Sequence, residues 1–353
     1  MSNSNKELIE ALNTLEKEKQ ISKEVLFEAI ENSILAACKS QYGKNDNIRV
    51  SINRENGEVA VFADLTVVEE VTSPQTELTV EAAAAKFPGK KYEVGDVISV
   101  EVTPKDFGRI AAGTAKQAVV QKIREEERAV LFNKYHSMEK LVVSGIVQRF
   151  MGKNISVHLG KCDGVLTESE QIKGENFVIG QRIKVYVLEV SSGNKGPKIT
   201  LSRTHPDLVK RLFEMEVTEV ENGTVEIMAL SRDPGARTKI AVRSNDESVD
   251  PIGACVGPNG MRVNAVVNEL GGEKIDIVSW SDNPEILIKN ALSPAKAVYV
   301  KIDTEERSAR VIVPDHQLSL AIGREGQNAR LAARLTGYKI DIKSESQAES
   351  EEF

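Results

Sequence analysis

The chain has 353 residues, and its 46 Lys+Arg against 53 Asp+Glu give a formal net charge of −7. This length favours two or three domains, since one domain takes about 150 residues. The 41% hydrophobic and 28% charged residues are typical of a globular protein, which excludes a mainly disordered chain. No run of about 18 apolar residues is present to form a membrane helix. The acidic balance opposes attraction of the whole molecule to nucleic acid but leaves room for a local binding site.

The cysteines and histidines do not form a metal-binding pattern. Cys38, Cys162 and Cys255 lie far apart and include no Cys-x-x-Cys pair, whereas a structural zinc site needs about four clustered ligands. Isolated cysteines suit a reducing compartment, and the polar N-terminus lacks the apolar segment of a secretory signal. We therefore expect a cytoplasmic protein with no metal and no other cofactor.

Residues 1–125 predict an N-terminal domain of helices and a sheet. Leu and Ile recur at helical spacing near the N-terminus, and alternating apolar residues on both sides of the Asn56-Gly57 pair predict a β-hairpin. Residues 107–132 predict a long helix that ends in a charged run. We place the domain boundary there and interpret residues 126–137 as a linker at the end of this helix.

Residues 138–202 predict a five-stranded barrel of the OB type, because short strands recur at close spacing. The predicted strands are residues 141–149, 154–159, 164–166, 182–190 and 198–202. Nine Lys and Arg against six Asp and Glu make this segment locally basic, which favours RNA. The candidate contacts are Phe150, His158 and Lys161, since OB barrels carry nucleic acid on such strands. A core position for Phe150 and a plain surface position for His158 remain alternatives.

An internal repeat follows the barrel, so the whole chain is expected to be a multidomain α+β protein. The Gly-x-x-Gly sequence at residues 257–260 returns 66 positions later, at residues 323–326. Each copy predicts helix, strand, strand, helix, Gly-x-x-Gly, helix and strand. We assign the copies to residues 203–280 and 281–345. The last ten residues, 344–353, are expected to be disordered, and residues 346–353 of them are assigned as an acidic tail.

The Gly-x-x-Gly loops are the clearest candidates for chemistry. Two glycines let the backbone turn tightly and approach another chain, and the next helix begins with free N–H donors that favour phosphate. KH domains clamp about four nucleotides in this way. One such loop alone is more typical of a helix C-cap and turn, but two copies in matching surroundings favour tandem KH domains. The candidate RNA contacts are Gly257, Pro258, Asn259, Gly260 and Arg262 in the first copy and Gly323, Arg324, Glu325, Gly326, Gln327, Asn328 and Arg330 in the second.

Four of these side chains have a specific expected role. Arg324 is a cation suited to phosphate, and Asn259, Gln327 and Asn328 are expected to donate hydrogen bonds to phosphate or base edges. The alternative for Arg262 and Arg330 is a solvated helix face.

The sequence contains no enzymatic motif that we recognise. It has no P-loop, no Gly-x-Gly-x-x-Gly and no His-Glu-x-x-His, and no local signature favours a Ser or Cys nucleophile. Asp276 and Asp341 lie inside the predicted repeat strands, where a carboxylate is more typical of a turn or strand edge than of a metal site. We expect a binding protein rather than an enzyme.

Several stretches resemble the NusA family of bacterial transcription elongation, termination and antitermination factors. They are EVGDV at residues 93–97, TPKDFGRIA at 103–111, LSRTHP at 201–206, KIAVRSND at 239–246, DPIGACVG at 250–257 and LSLAIG at 318–323. The resemblance extends from about residue 5 to residue 343. It implies an OB barrel of the ribosomal S1 type and two KH domains of the prokaryotic type.

The resemblance also implies partners and activity. The N-terminal domain would dock on core RNA polymerase at the flap of the β subunit near the RNA exit channel. The barrel and the KH pair would form one rigid surface for nascent single-stranded RNA. The protein, expected to be a monomer, would prolong pausing, assist intrinsic termination and join antitermination complexes on ribosomal RNA operons. Other Nus factors would be partners, including the one that pairs with a ribosomal protein of the small subunit.

The sequence differs from the family pattern at two places, and each difference leads to an expectation. Asn259 stands where family members often have a basic residue, and Arg262 is the candidate to compensate. The acidic C-terminal repeats of some members are absent from this sequence, so no autoinhibition through them is expected.

Two rival functions use the same RNA-binding modules. A phosphorolytic nuclease would place its KH domain before the barrel and after a large catalytic region, an order opposite to the one found here. A ribosome-assembly or translation factor would associate with ribosomal subunits instead of polymerase.

Overall fold

The protein is described by a computed structural model. It covers residues 3–19, 21–42, 47–74, 76–87, 91–102, 107–193 and 196–350. The chain forms two compact units, residues 1–130 and residues 131–353. Within the ranges described, no helix has the length and apolar character needed to cross a membrane.

The first unit combines helices with a small sheet, as predicted. Its elements are α1 (Asn3–Lys19), α2 (Lys23–Tyr42), β1 (Ile48–Ile52), β2 (Val59–Val68), β3 (Glu77–Thr79), α3 (Val80–Lys86), β4 (Val97–Glu101) and most of α4 (Phe107–His136). Strand β2 pairs antiparallel with β1 and β4 and parallel with β3. The predicted hairpin is confirmed, and its alternating residues Ile52 and Val61 pack against Leu26, Ile30 and Ile34 of α2.

Helix α4 is longer than the sequence predicts. It continues to His136, four residues past the predicted end, so residues 126–136 of the predicted linker are helical. Residues 103–106 of the TPKDFGRIA stretch lie outside the described part of the chain.

The second unit begins with the barrel, and the predicted five strands are confirmed. They are β5 (Val142–Met151), β6 (Asn154–His158), β7 (Asp163–Leu166), β8 (Arg182–Gly193) and β9 (Gly196–Ser202). The strands close in the order β5-β6-β7-β9-β8. Val147, Val157, Leu166 and Val185 are fully buried inside the barrel, which follows from the alternation of apolar residues along the strands.

The first repeat has the predicted order of elements. These are α5 (Pro206–Glu216), α6 (Thr218–Glu221), β10 (Val225–Asp233), β11 (Arg237–Ser244), α7 (Pro251–Val256), α8 (Met261–Glu269) and β12 (Lys274–Ser279). Strand β11 lies in the centre of the sheet, antiparallel to β10 and parallel to β12. The His205 side chain caps α5 and Pro206 begins it, and α5 buries Leu208, Leu212 and Phe213.

The second repeat has the same topology. Its elements are α9 (Pro284–Ala291), β13 (Tyr299–Asp303), β14 (Ser308–Val313), α10 (Leu318–Ile322), α11 (Gln327–Thr336) and β15 (Lys339–Ser344). Central strand β14 is antiparallel to β13 and parallel to β15. Lys239 pairs with Asp276 in the first sheet, and Arg310 pairs with Asp341 in the second. The repeat read from the sequence is therefore confirmed residue by residue.

The expectation of a disordered tail is wrong for its first part. A short helix, α12 (Glu345–Ser350), follows β15 directly. Ser344 at the end of β15 is buried, and its backbone N–H donates to Gln347 Oε1 at 3.1 Å. These contacts hold the beginning of the tail against the second repeat. Residues 351–353 lie outside the described ranges.

Candidate nucleic-acid interface

The two Gly-x-x-Gly loops have the same backbone conformation. The first glycine has φ 73° and ψ 173° at Gly257, and φ 78° and ψ 171° at Gly323. The third loop residue has φ 51° at Asn259 and φ 53° at Glu325. The second glycine of each loop lies in the left-handed region as well. The turn that the sequence predicts is therefore built twice.

The first glycine of each loop is required by close packing as well as by its backbone angles. A Cβ on Gly257 would lie 2.7 Å from Cγ of Arg262, and a Cβ on Gly323 would lie 2.8 Å from Cβ of Asn328. Both positions also have positive φ, which any other residue tolerates poorly. The loop backbone therefore sits directly over the side chain found five positions later.

The side chain five positions after the first glycine connects the helix before the loop to the helix after it by a hydrogen bond. Arg262 Nη1 donates to the carbonyl oxygen of Ala254 at 2.7 Å. Asn328 Nδ2, at the matching position of the second repeat, donates to the carbonyl oxygen of Leu320 at 3.4 Å. Both acceptors lie eight residues upstream. The two repeats thus use different residue types for the same contact.

This arrangement corrects the role predicted for Asn328. Its side chain is 1% exposed, and Nδ2 also donates to the carbonyl oxygens of Leu292 and Ala321, each at 3.0 Å. A buried amide already shared among backbone carbonyls has no surface from which to reach phosphate or a base. Asn328 therefore shapes the loop from beneath.

Arg262 is also engaged inside its own repeat. Besides Ala254, its Nη1 pairs with Glu219 Oε2 of α6 at 2.9 Å. The side chain is therefore not the solvated helix face given as the alternative. The ion pair also argues against the predicted role of Arg262 as the cation that replaces a basic residue at position 259.

The second loop presents its charges to solvent. The side chains of Arg324 and Glu325 are 93% and 84% exposed, with Arg324 Nε 3.9 Å from the Glu325 carboxylate. Arg330 Nη1 donates to the carbonyl oxygen of Glu325 at 3.3 Å, and its Nη2 lies 3.9 Å from Asp233. Gln327 Nε2 donates to Asp233 Oδ2 at 2.8 Å. Arg324 is thus the more exposed of the two arginines at this loop, and its contact with phosphate stays a prediction.

The two repeats are joined by buried charges as well as by Gln327. Lys239 of β11 is fully buried, and its Nζ donates to Asp276 Oδ2 at 2.9 Å and to the carbonyl oxygen of Ser293 at 2.6 Å. Burial lowers the pKa of Lys239, and the Asp276 carboxylate offsets part of this effect. Burial alone would raise the pKa of Asp276, but the hydrogen bonds and charges of Arg237 and Lys239 outweigh it and hold that pKa below its ordinary value. The sequence predicts that Asp276 fixes a turn or a strand edge. In the structure Asp276 lies on edge strand β12 and pairs with Arg237 and Lys239.

The barrel is joined to the first repeat by Arg203. This side chain is 1% exposed and pairs with Glu175 of the barrel, its Nε donating to Oε2 at 2.8 Å. Its Nη1 donates to the carbonyl oxygen of Lys184 at 2.6 Å, and its Nη2 donates to the carbonyl oxygen of Glu269 at 2.7 Å. One buried guanidinium thus holds two barrel segments and the end of α8 together.

The three barrel candidates lie in two places. His158, at the end of β6, has its Nδ1 2.9 Å from Asp163 Oδ1, and exposed Lys161 lies in the turn that follows. Phe150 is 49% exposed and pairs with Ile155 at the opposite end of β6, about 10 Å away along the strand. The structure therefore brings His158 and Lys161 together but not Phe150, and it excludes a fully buried core position for Phe150.

The described residues show no arrangement typical of a metal centre or an activated thiol. Within those ranges, no group of three or more His, Cys, Asp or Glu side chains is placed to hold a metal ion. Cys255 precedes the first loop, and burial raises the pKa of its thiol to about 11. A thiol of this pKa is not a nucleophile at neutral pH.

Several residues of this interface escaped the sequence analysis. Arg203, Asp233 and Lys239 join domains through partners that are distant in the chain, such as Glu175 and Gln327. One sequence signal could have indicated Lys239: it is a charged residue directly before the apolar residues Ile-Ala-Val of a predicted strand. A charge buried in such a strand needs a buried partner.

A closed five-stranded barrel followed by two Gly-x-x-Gly repeats of this topology defines a multidomain RNA-binding protein of the S1 and KH class. Family models match almost the whole chain. They are the NusA N-terminal domain at residues 7–129, the S1 RNA binding domain at 138–202, the NusA-like first KH domain at 203–280 and the NusA-like second KH domain at 284–350.

Individual relatives agree with these matches. The chain is 54% identical over 342 residues to the transcription termination/antitermination protein NusA of Bacillus subtilis (strain 168), covering 97% of this chain and 92% of the relative. It is 53% identical over 345 residues to the protein of the same name from Halalkalibacterium halodurans, covering 98% and 90%. A solution structure of the N-terminal domain of NusA from B. subtilis is 52% identical, with a TM-score of 0.32, covering 35% of this chain and 98% of that one. The chain belongs to the NusA family, and the resemblance seen in the sequence is confirmed.

Proposed function

We propose that the chain is a non-enzymatic transcription factor that acts in termination and antitermination. Its N-terminal domain, residues 1–125, binds core RNA polymerase at the β-subunit flap near the RNA exit channel. The barrel, residues 138–202, and the KH domains, residues 203–280 and 281–345, bind the nascent single-stranded RNA. By holding this RNA the protein modulates pausing, assists intrinsic termination and takes part in antitermination with other Nus factors. It works as a monomer in the cytoplasm.

The observation that carries this proposal is the doubled Gly-x-x-Gly loop in a chain that matches NusA family models over most of residues 7–350. Both loops have the same backbone, and no side chain caps the helix that follows either of them. The first N–H of each helix donates to the carbonyl oxygen of Pro258 or Arg324 within the loop, and the helix dipole favours an anion at this end. The second loop adds exposed Arg324. These features support binding of an RNA backbone, and they supply no group for covalent chemistry.

The joints between domains support the idea of one rigid RNA-binding surface. Arg203 forms hydrogen bonds to both the barrel and the first KH domain. Lys239 and Gln327 form hydrogen bonds between the first KH domain and the second. When the domains are held at a fixed spacing, several weak contacts can act on one RNA strand. Binding then loses no conformational entropy through ordering of the domains.

The acidic balance of the chain fits a protein that is tethered to polymerase before it meets RNA. Tethering provides an effective concentration on the order of mM, so weak contacts are sufficient. Low nonspecific affinity also keeps the protein from being sequestered by bulk RNA, whose binding is dominated by charge. Nanomolar binding of arbitrary single strands at physiological salt would contradict this part of the proposal.

The test combines polymerase binding with RNA binding. The full chain and a variant that lacks residues 1–130 are passed over a size-exclusion column with core RNA polymerase. In parallel, the full chain and an Asn259→Asp, Arg324→Asp double variant are titrated with fluorescent single-stranded RNA. Both substituted side chains are exposed, so the double variant is expected to fold.

We expect the full chain to co-elute with polymerase and the truncated chain to elute alone. The double variant should bind RNA at least about 10-fold more weakly, since each substitution places a negative charge where phosphate is expected. Failure of the full chain to bind polymerase, together with co-sedimentation with ribosomal subunits, would support the ribosomal rival. Shortening of labelled RNA in the presence of phosphate and Mg²⁺ would support the nuclease rival.

A further inference from the structure

The two loops have one backbone but different side chains. Pro258 of the first loop takes the place of Arg324 in the second, and Met261 takes the place of Gln327. Since the φ and ψ angles agree within a few degrees, the loops place these side chains in equivalent positions. Any difference in what they bind must come from the side chains themselves.

The first loop has no free cation. Residues 251–269, all of them described, contain one basic residue, Arg262. Its guanidinium pairs with Glu219 and donates to the carbonyl oxygen of Ala254. Phosphate at this loop would therefore find no unpaired cation on the loop or on the two helices that flank it, whereas phosphate at the second loop would also meet Arg324, which is 93% exposed.

The first loop instead presents a large apolar side chain. Met261 is the first residue of α8 and is 67% exposed, more than most of the large exposed hydrophobic residues in the described part of the chain. Its counterpart Gln327 is held by Asp233. Met261 thus stands beside exposed Pro258 at the mouth of the loop. A thioether is adaptable and polarizable and makes favourable contacts with aromatic rings, and a nucleobase offers such a ring.

We propose that Met261 contacts a nucleobase, so that the first loop recognises RNA through apolar contact while the second loop recognises it through phosphate charge at Arg324. This assignment rests on the RNA-binding function proposed above and divides that function between the two loops. It makes the first loop the one that is sensitive to base identity and the second the one that is sensitive to salt.

The test uses the full chain and fluorescence anisotropy. The probes are 20-nucleotide labelled RNAs of oligo(A), oligo(U), oligo(C) and one mixed sequence, each titrated between 50 and 300 mM KCl. Three variants are compared with the unmodified chain: Met261→Gln, Met261→Leu and Arg324→Gln. Met261→Gln introduces the residue that the second repeat has at this helix position. Because Met261 is exposed, all Met261 variants are expected to fold, and circular dichroism checks this.

The two loops should respond differently. Met261→Gln should weaken binding about 3- to 10-fold, change the ranking of the four probes and leave the slope of log K against log[KCl] unchanged. Met261→Leu should keep most of the affinity. Arg324→Gln should weaken all probes alike and reduce the salt slope by about 0.7, the value expected for one phosphate contact on a single strand.

Three results would overturn the assignment. Binding of every probe by Met261→Gln as tightly as by the unmodified chain removes Met261 as a base contact. A change of the salt slope in Met261→Gln equal to that in Arg324→Gln removes it as well. If the unmodified chain binds none of the probes, the RNA-binding function fails and the assignment fails with it. If Arg324→Gln loses affinity as expected while Met261→Gln does not, the RNA-binding function stands and only the role of Met261 is lost.

Discussion

Asp233, the last residue of β10 in the first KH domain, accepts a hydrogen bond of 2.8 Å from Gln327, the first residue of α11 in the second. Gln327 directly follows the second Gly-x-x-Gly loop, and Arg330 one turn later also approaches Asp233, at 3.9 Å. The loop that carries the exposed cation is therefore anchored to the neighbouring domain. This contact and the hydrogen bond of Lys239 to the carbonyl oxygen of Ser293 both join the two domains.

Replacing Asp233 should weaken binding of RNA that is long enough to reach both loops. In Asp233→Ala, Gln327 loses its hydrogen-bond acceptor and Arg330 loses its ion-pair partner, so the spacing between the loops becomes less well defined. We expect about 3- to 10-fold weaker binding of a 15-nucleotide RNA and no change for a 5-nucleotide RNA, because one KH domain clamps about four nucleotides. Fluorescence anisotropy with both probes measures this difference.

Asp303 provides a matched control for that experiment. It occupies the position of Asp233 in the second KH domain and accepts hydrogen bonds from the backbone of its own turn, at Glu305 and Glu306. Asp303→Ala should leave the affinity for both RNAs unchanged. Equal losses in the two variants would contradict a specific role for the contact between Asp233 and Gln327.

Replacing Arg203 should separate the barrel from the first KH domain. In Arg203→Met, Glu175 loses its buried partner and two backbone carbonyls lose their donor. Removing one member of a buried ion pair costs about 3–5 kcal/mol, so the barrel and the KH domains should unfold in separate transitions and at lower denaturant. Intrinsic fluorescence and circular dichroism followed through guanidinium denaturation would report this change.

Lys153→Met serves as the control because Lys153 and Glu168 form an ion pair that is 77% and 61% exposed. An exposed pair contributes little to stability, so the denaturation midpoint should not move. A midpoint for Arg203→Met equal to that of the unmodified chain would contradict the role given to Arg203.

Changing Asn328 to aspartate should destabilise the second KH domain although the two side chains have nearly the same shape. Nδ2 donates to the carbonyl oxygens of Leu292, Leu320 and Ala321, and a carboxylate would face these acceptors with a buried negative charge. We expect a loss of more than about 3 kcal/mol, measured by chemical denaturation. Asn259→Asp changes the same chemical group on the exposed first loop and should have almost no effect on stability.

The ion pair of Asp276 predicts a dependence of stability on pH. The pKa of Asp276 lies below its ordinary value because of Arg237 and Lys239, so the folded protein holds this carboxylate ionised more strongly than the unfolded chain does. The stabilisation is complete above the unfolded-state pKa of about 3.9. It is lost as the pH falls from there through the pKa of the folded state.

Asp276→Asn should remove this contribution. At pH 7 the variant should be less stable by about 3 kcal/mol, and the difference from the unmodified chain should shrink as the pH is lowered below about 4. Denaturation midpoints at pH 7, 5, 4 and 3 measure it. Asp341→Asn, at the matching but exposed position of the second repeat, is the control, and a difference that stays constant down to pH 3 would contradict the account.

The order of elements could be predicted from the sequence because the signals are local. Alternation at Ile48, Val50 and Ile52 produced β1, and the five barrel strands lie within a few residues of their predicted bounds. The boundaries that differ have local physical reasons too. Nothing in the sequence stops α4 before His136, and the tail forms a helix because Gln347 meets the backbone of Ser344.

The candidate site could be predicted only in part. Exposed Arg324 and the paired glycines lie where the pattern indicated, since a glycine with positive φ and a helix N-terminus are properties of a few consecutive residues. Asn328 and Arg262 looked equally suited to RNA in the sequence. Burial of the first and the ion pair of the second with Glu219 became visible only in the structure.

The sequence by itself determined the repeat, the barrel, the two loops and the family, because periodicity, turn chemistry and matching strings are all read along the chain. The tertiary structure alone decided which polar side chains are free for a ligand and which hold domains together. Gln327 meets Asp233 across 94 positions, and Arg203 meets Glu269 across 66. A buried charge is stable only when it is paired, and its partner here is distant in the sequence. A local sequence pattern therefore cannot identify the pair.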